Sequence, residues 1–251
     1  MQRPVVPAGQ IFAHHRRSLP AEFRSQGQGM TDTPGPAPRR HVIISGTGRS
    51  GTTFLVQLLT RLGLDTGFAS EESGQGQFFA DARAGLETDV RRDDAPYVVK
   101  SPYFCEYADE VLRRRDIAIE HVLVPIRDLE SAAESRRYVV RTARSQMSLV
   151  DRIKDWLEPR EIPGGLWSTR SARRGDQEEV LLNHVYELML ALSGHATPVT
   201  LLRYPKLVCD KAYCYAKLRP ILGSIEFDDF ARAFDATARP DLVHSFAAND
   251  A

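Results

Sequence analysis

The stretch HVIISGTGRSGTTFL, residues 41 to 55, constrains this chain more than any other part of it. HVIIS is a short apolar strand. TTFLVQLLTRLG follows, with Phe54, Leu55, Leu58, Leu59 and Leu62 at helical spacing and a closing Gly63. Between them, Gly46, Gly48 and Gly51 permit tight turns and close approach of the backbone to a ligand. A glycine-rich turn of this kind points backbone N–H groups at one spot, and the helix start adds partial positive charge. Thr52 and Thr53 add hydroxyl donors in the first turn. The plainer alternative is a glycine-rich turn with ordinary helix capping. The strand before, the amphipathic helix after and the polar donors within favour a loop that holds phosphate.

The rest of the chain repeats the strand and helix alternation. Further strands are expected in PYVVKS (96 to 101), IEHVLVPIRD (119 to 128) and PVTLLRYP (198 to 205). Helical patterns cover 105 to 115, 128 to 144, 176 to 194 and 210 to 221. Short buried-type strands alternating with helices predict an α/β fold, one P-loop-type domain with a central parallel sheet flanked by helices. Residues 1 to 40 carry Pro, Gly, Gln and Arg with no apolar period, and read as a disordered tail before a domain spanning 41 to 251. MTDTPGPAPRR, from Met30, resembles a natural N-terminus, so 1 to 29 read as a misassigned start, with a transit peptide as the alternative. The segment 145 to 175 is expected as a surface excursion.

Composition excludes several classes of function. The 251 residues, 42% hydrophobic, suffice for one substantial core. Formal net charge is zero, so no global field draws the chain to nucleic acid or acidic lipid. Cys105, Cys209 and Cys214 form no CxxC pair and no metal spacing, which argues for a reducing, cytoplasmic compartment. No apolar run approaches the roughly 20 residues of a membrane span, and no hydrophobic signal core opens the chain.

The loop is almost GxxxxGK[ST], but Thr52 stands where a nucleoside-triphosphate loop has its lysine. The positive charge sits instead at Arg49. Arg49-Ser50-Gly51-Thr52-Thr53-Phe54-Leu55 resembles the xRSGSTFL form of the 5'-phosphosulfate loop of sulfotransferases. That family transfers a sulfonate from 3'-phosphoadenosine 5'-phosphosulfate (PAPS). The resemblance implies that Gly48, Arg49, Ser50, Gly51, Thr52 and Thr53 surround the 5'-phosphosulfate. A guanidinium beside the bridging oxygen suits the chemistry, because charge grows on that oxygen as its bond to sulfur breaks. A sulfonate needs no metal to neutralise a triphosphate, and none is expected.

A second motif supports the first. Arg127-Asp128-Leu129 ends the third expected strand, and Ser135 lies eight residues after Arg127. Sulfotransferases have R-[DN]-P with a serine at that spacing, and the resemblance assigns Arg127 and Ser135 to the 3'-phosphate; here Leu129 replaces the proline. A strand-to-helix corner with Asp128 as helix cap is the plainer alternative for this segment alone.

The acceptor side is looser. YVVKSPYF (97 to 104) resembles the EKSPxYF segment of heparan-type members, which gives Lys100 a role on the transferring sulfonate; Val99 replaces the acid. Aryl-type members carry a catalytic histidine where Ser101 stands. The general base expected here is Glu72, with Glu71 second, although counting back from Phe78-Phe79 places the family's acid on Gln75. RYPKLVCD resembles the family's later strand-to-helix corner, and 234 to 246 its terminal helix and tail. SARRGD at 171 to 176 reads as a solvated loop, His121 as structural, and Trp156 as core; Trp156 or Trp167 could instead stack on adenine or a substrate ring.

These expectations define a sulfotransferase that moves a sulfonate from PAPS to a hydroxyl or amine acceptor, releasing adenosine 3',5'-bisphosphate (PAP). The acceptor is a small molecule, carbohydrate or lipid, with no nucleic-acid partner. The alternatives are a P-loop kinase using ATP–Mg²⁺, with Asp128 as its metal-binding acid, and a non-catalytic nucleotide-binding module.

Overall fold

The computed structural model describes residues 37–46, 48–68, 78–79, 84–146, 161–162, 166–167 and 176–240. Its strands are β1 (Arg39–Ile44), β2 (Phe78–Phe79), β3 (Ala84–Gly85), β4 (Val98–Lys100), β5 (Ile117–Ile126), β6 (Glu161–Ile162), β7 (Leu166–Trp167) and β8 (Val199–Arg203). Four of them form a parallel sheet in the order β4-β1-β5-β8. Ile44 lies between Lys100 and Leu123 in register, and Ile126 pairs with Arg203. β2–β3 and β6–β7 are separate antiparallel pairs.

The helices are α1 (Thr52–Arg61), α2 (Phe104–Leu112), α3 (Leu129–Gln146), α4 (Asp176–Ser193), α5 (Lys206–Cys209), α6 (Lys211–Leu218) and α7 (Phe227–Thr237). They cover both faces of the sheet. Val42, Ile44, Leu123 and Leu202 pack with Leu55, Leu58 and Leu59 of α1 and with Phe230 and Phe234 of α7. Ile43, Val99 and Val122 pack on the other side with Phe104 and Val111 of α2 and Leu188 of α4. Strands buried on both faces read as continuous apolar runs, which is why VII, VV and VLV carry no polar alternation. The expected α/β architecture is therefore present. No helix among the described residues is long and apolar enough to cross a membrane.

Element boundaries differ in places, each for a physical reason. β1 begins at Arg39, inside the expected tail, because the Arg39 N–H finds the Asp116 carbonyl at 2.9 Å. α1 ends as read: Gly63 takes φ 82°, Gly63 N–H reaches the Thr60 carbonyl and Leu64 N–H the Leu59 carbonyl. The helix expected over 210 to 221 stops at Leu218 and continues as a 3₁₀ turn, Arg219–Ile221, since Pro220 has no N–H to extend it. The terminal helix expected within 234 to 246 runs instead over Phe227–Thr237, with Asp228 and Asp229 at its positive end and Pro240 just beyond it.

Candidate functional site: a glycine loop bordered by cations

The four parallel strands end on one edge of the sheet, and the candidate residues hang from those ends. The glycine loop follows β1, Lys100 closes β4, Arg127 follows β5, and Tyr204 follows β8. This carboxyl edge is where open parallel sheets form ligand crevices. Two glycines are required there. Gly46 takes φ 118°, and a Cβ on it would meet the Pro125 carbonyl at 3.1 Å; Gly51 takes φ 92°, and a Cβ would meet Tyr204 Cδ2 at 3.2 Å. Arg49 also lies in the left-handed region, at φ 71°, which costs a residue with a Cβ roughly 1 to 2 kcal/mol. Ser50 and Thr52 are buried, while Gly48, Arg49 and Thr53 are half-buried.

The two sequence motifs meet at Arg49. Its Nε donates to Ser135 Oγ at 3.1 Å, across 86 residues of chain. Arg127 Nη1 donates to the Arg49 carbonyl at 3.2 Å, and its guanidinium lies 5.0 Å from the centre of the Tyr204 ring. Asp128 caps α3, its Oδ1 accepting the Ser131 N–H at 2.9 Å, which meets the alternative reading of that acid as a helix cap.

Lys100 reaches the loop from the neighbouring strand. It is 2% exposed, and Nζ donates to Thr53 Oγ1 at 3.0 Å, to the Gly85 carbonyl at 2.5 Å and to Glu87 Oε1 at 3.4 Å. Burial lowers the ammonium's pKa, and the Glu87 charge opposes that shift. Gly85 (φ 109°) and Leu86 (φ 61°) are both left-handed, and this turn after β3 delivers the carbonyl and the carboxylate to Lys100. Ser101 Oγ accepts from Tyr107 Oη at 2.7 Å. His121 is structural, as read: Nε2 lies 2.7 Å from Thr200 Oγ1 across the β5–β8 pair. Glu71, Glu72, Gln75, Trp156 and residues 171 to 175 lie outside the described residues. Phe78 and Phe79 form β2, and Trp167 pairs with Glu161 in the β6–β7 ladder.

Three neighbours of the loop were missed by sequence reasoning. Glu87 looks like any loop acid in LETDV; the usable signal was Lys100 itself, a cation ending an apolar strand, which needs a buried or half-buried acceptor. Tyr204 sits in the strand-to-helix corner already noted. Arg136 follows Ser135 directly, and its Nη1 would lie 3.8 Å from a Cβ placed on Gly48. With this geometry in view, no protein-family model matches the chain, and no curated protein matches it either.

Proposed function

We propose that this chain is a sulfotransferase of the P-loop type, using PAPS and a hydroxyl or amine acceptor. One observation carries the reading: the Arg49–Ser135 hydrogen bond joins a glycine loop without a Walker lysine to the Arg-x₇-Ser corner after β5. A loop for one phosphate explains the first piece alone. A nucleotide with anionic groups at both its 5' and 3' positions uses both.

The donor set suits such a ligand. Loop N–H groups and the α1 N-terminus would face the 5' group, and Arg127 and Ser135 each contact Arg49, one at its carbonyl and one at its guanidinium. PAPS supplies an activated sulfur–oxygen bond: the acceptor oxygen bonds to sulfur, the bond to the 5'-phosphate breaks, and PAP leaves with the electron pair. Arg49 stabilises the oxygen on which that charge grows. Lys100 fixes the Thr53 hydroxyl and adds positive charge beside the loop. Glu87, beside Lys100, joins Glu72 and Glu71 as a candidate to take the acceptor proton. In the kinase reading Asp128 would bind Mg²⁺, yet its Oδ1 is already engaged as the α3 cap.

The test is the division of labour between two arginines. Labelled PAPS is followed on whichever phenol, saccharide or amine a first screen turns over. Arg49→Ala should slow turnover on the order of 100-fold and change PAP affinity little, because its contact strengthens toward the transition state. Arg127→Ala should weaken PAP binding roughly tenfold and erase the preference for a 3'-phosphate. Equal loss of PAP binding in both, with no rate defect in Arg49→Ala, would contradict the assignment.

A further inference from the structure

Arg136 is a buried cation that neither half of the proposed site uses. It lies one residue beyond Ser135 on α3 and is 4% exposed. Its Nη1 overlooks Gly48, at 3.8 Å from where a Cβ would stand. Its Nε donates to Gln177 Oε1, at the start of α4, at 2.9 Å. Among the described residues, no carboxylate lies within ion-pair distance of it, and the charges acting on its guanidinium include no aspartate or glutamate.

The next residue shows what is missing. Arg137, at the same turn of α3, binds Glu134 at 2.7 Å and Glu178 at 2.9 Å. α4 thus offers a carboxylate to the outer arginine and a neutral amide of the same shape to the inner one. An amide orients a guanidinium without neutralising it, so burial lowers its pKa with only the Tyr103 phenol opposing the shift and no carboxylate. The other neighbours supply no negative charge. His184 is held toward its neutral form by burial and by repulsion from Arg136, and its ring packs edge-on to Tyr103 at 6.3 Å.

We infer that Arg136 binds an oxyanion of the loop's ligand, a phosphate or sulfonate oxygen seated over Gly48. Gln177 sets the guanidinium's orientation, and the ligand brings the missing negative charge. The inference rests on the reading above only in that the loop holds an anion; it does not need the 3'-phosphate.

The experiment uses the full chain with Arg136→Met and Arg136→Lys, titrated with pyrophosphate, AMP and PAP. Arg136→Met should weaken all three by a similar factor, about tenfold, since each offers a tetrahedral oxyanion to the loop. Arg136→Lys should recover part of that loss. Without ligand, the melting temperature of Arg136→Met should hold or rise, because an uncompensated buried charge has been removed. Unchanged affinities together with a lower ligand-free melting temperature would make Arg136 a packing residue and overturn the inference. So would unchanged PAP affinity with turnover lost only on acidic acceptors, which would move the guanidinium to the acceptor. A wild type that binds pyrophosphate and AMP as tightly as PAP ends the 3'-phosphate reading and leaves the Arg136 comparison intact. A wild type that prefers PAP, with Arg136→Met binding all three unchanged, does the reverse.

Discussion

Lys100 and Arg136 both border the glycine loop and both are nearly out of water, yet the fold treats them in opposite ways. The three donors of Lys100 meet a hydroxyl, a carbonyl and a carboxylate, so its charge is answered within the protein. Arg136 has five donors and, among the described residues, a hydrogen bond only to the Gln177 amide. Lys100's bonds tie the β3 turn and β4 to the first turn of α1, beside the loop. A buried cation left to an amide waits for charge from outside. Which of the two a residue is cannot be read from its burial, only from its partners.

The comparison breaks most readily at Glu87. Glu87→Gln leaves the Lys100 ammonium without its counter-charge and should lower unfolding free energy by about 2 kcal/mol, less than a fully enclosed pair because Glu87 is partly exposed. Denaturant titration measures it. The loss should shrink as pH rises from 7 toward 10. The folded-state pKa of Lys100 is depressed, so the unfolded chain holds that proton longer, and raising pH favours the folded state. Arg136→Met should show neither loss nor pH dependence. Glu87→Gln as stable as the wild type would mean that Lys100 is not compensated as described.

A smaller effect comes from a group that stays uncharged. His41 is 2% exposed, its Nδ1 lies 2.7 Å from the Pro96 carbonyl, and burial holds its pKa below the usual 6.5. The unfolded chain therefore takes up the proton first. The His41 contribution is fully present above about pH 6.5 and is lost as pH falls through the folded-state value. Melting temperatures should fall between about pH 7.5 and 5, with His41 contributing to the slope. His41→Gln should flatten part of that slope; an unchanged slope would remove His41 from the account.

What was legible in the sequence follows the same division. The strands showed as unbroken apolar runs because both faces of the sheet are covered, and α1 showed by its leucine spacing and Gly63. The loop and the Arg127–Ser135 corner were readable because each lies within one short segment whose order fixes its geometry. Glu87 and Arg136 were not. Glu87 depends on two left-handed residues, Gly85 and Leu86, at the end of β3 that carry it to Lys100, and Arg136 on α4, whose Gln177 lies 41 residues further along. Nothing local distinguishes Gln177 from a solvated glutamine. The terminal helix begins seven residues before the segment that resembled it, because FDDFARAF places Phe230 and Phe234 on one buried face and two acids at the positive end.

The most direct test of the proposed function is calorimetry of the full chain with PAP, AMP and ATP–Mg²⁺. The account predicts that PAP binds at least about tenfold tighter than AMP, the margin of one charge-assisted phosphate contact, and that ATP–Mg²⁺ binds no tighter than AMP. Preference for ATP–Mg²⁺ would return the loop to the kinases. Binding of none of the three would contradict a catalytic nucleotide site altogether.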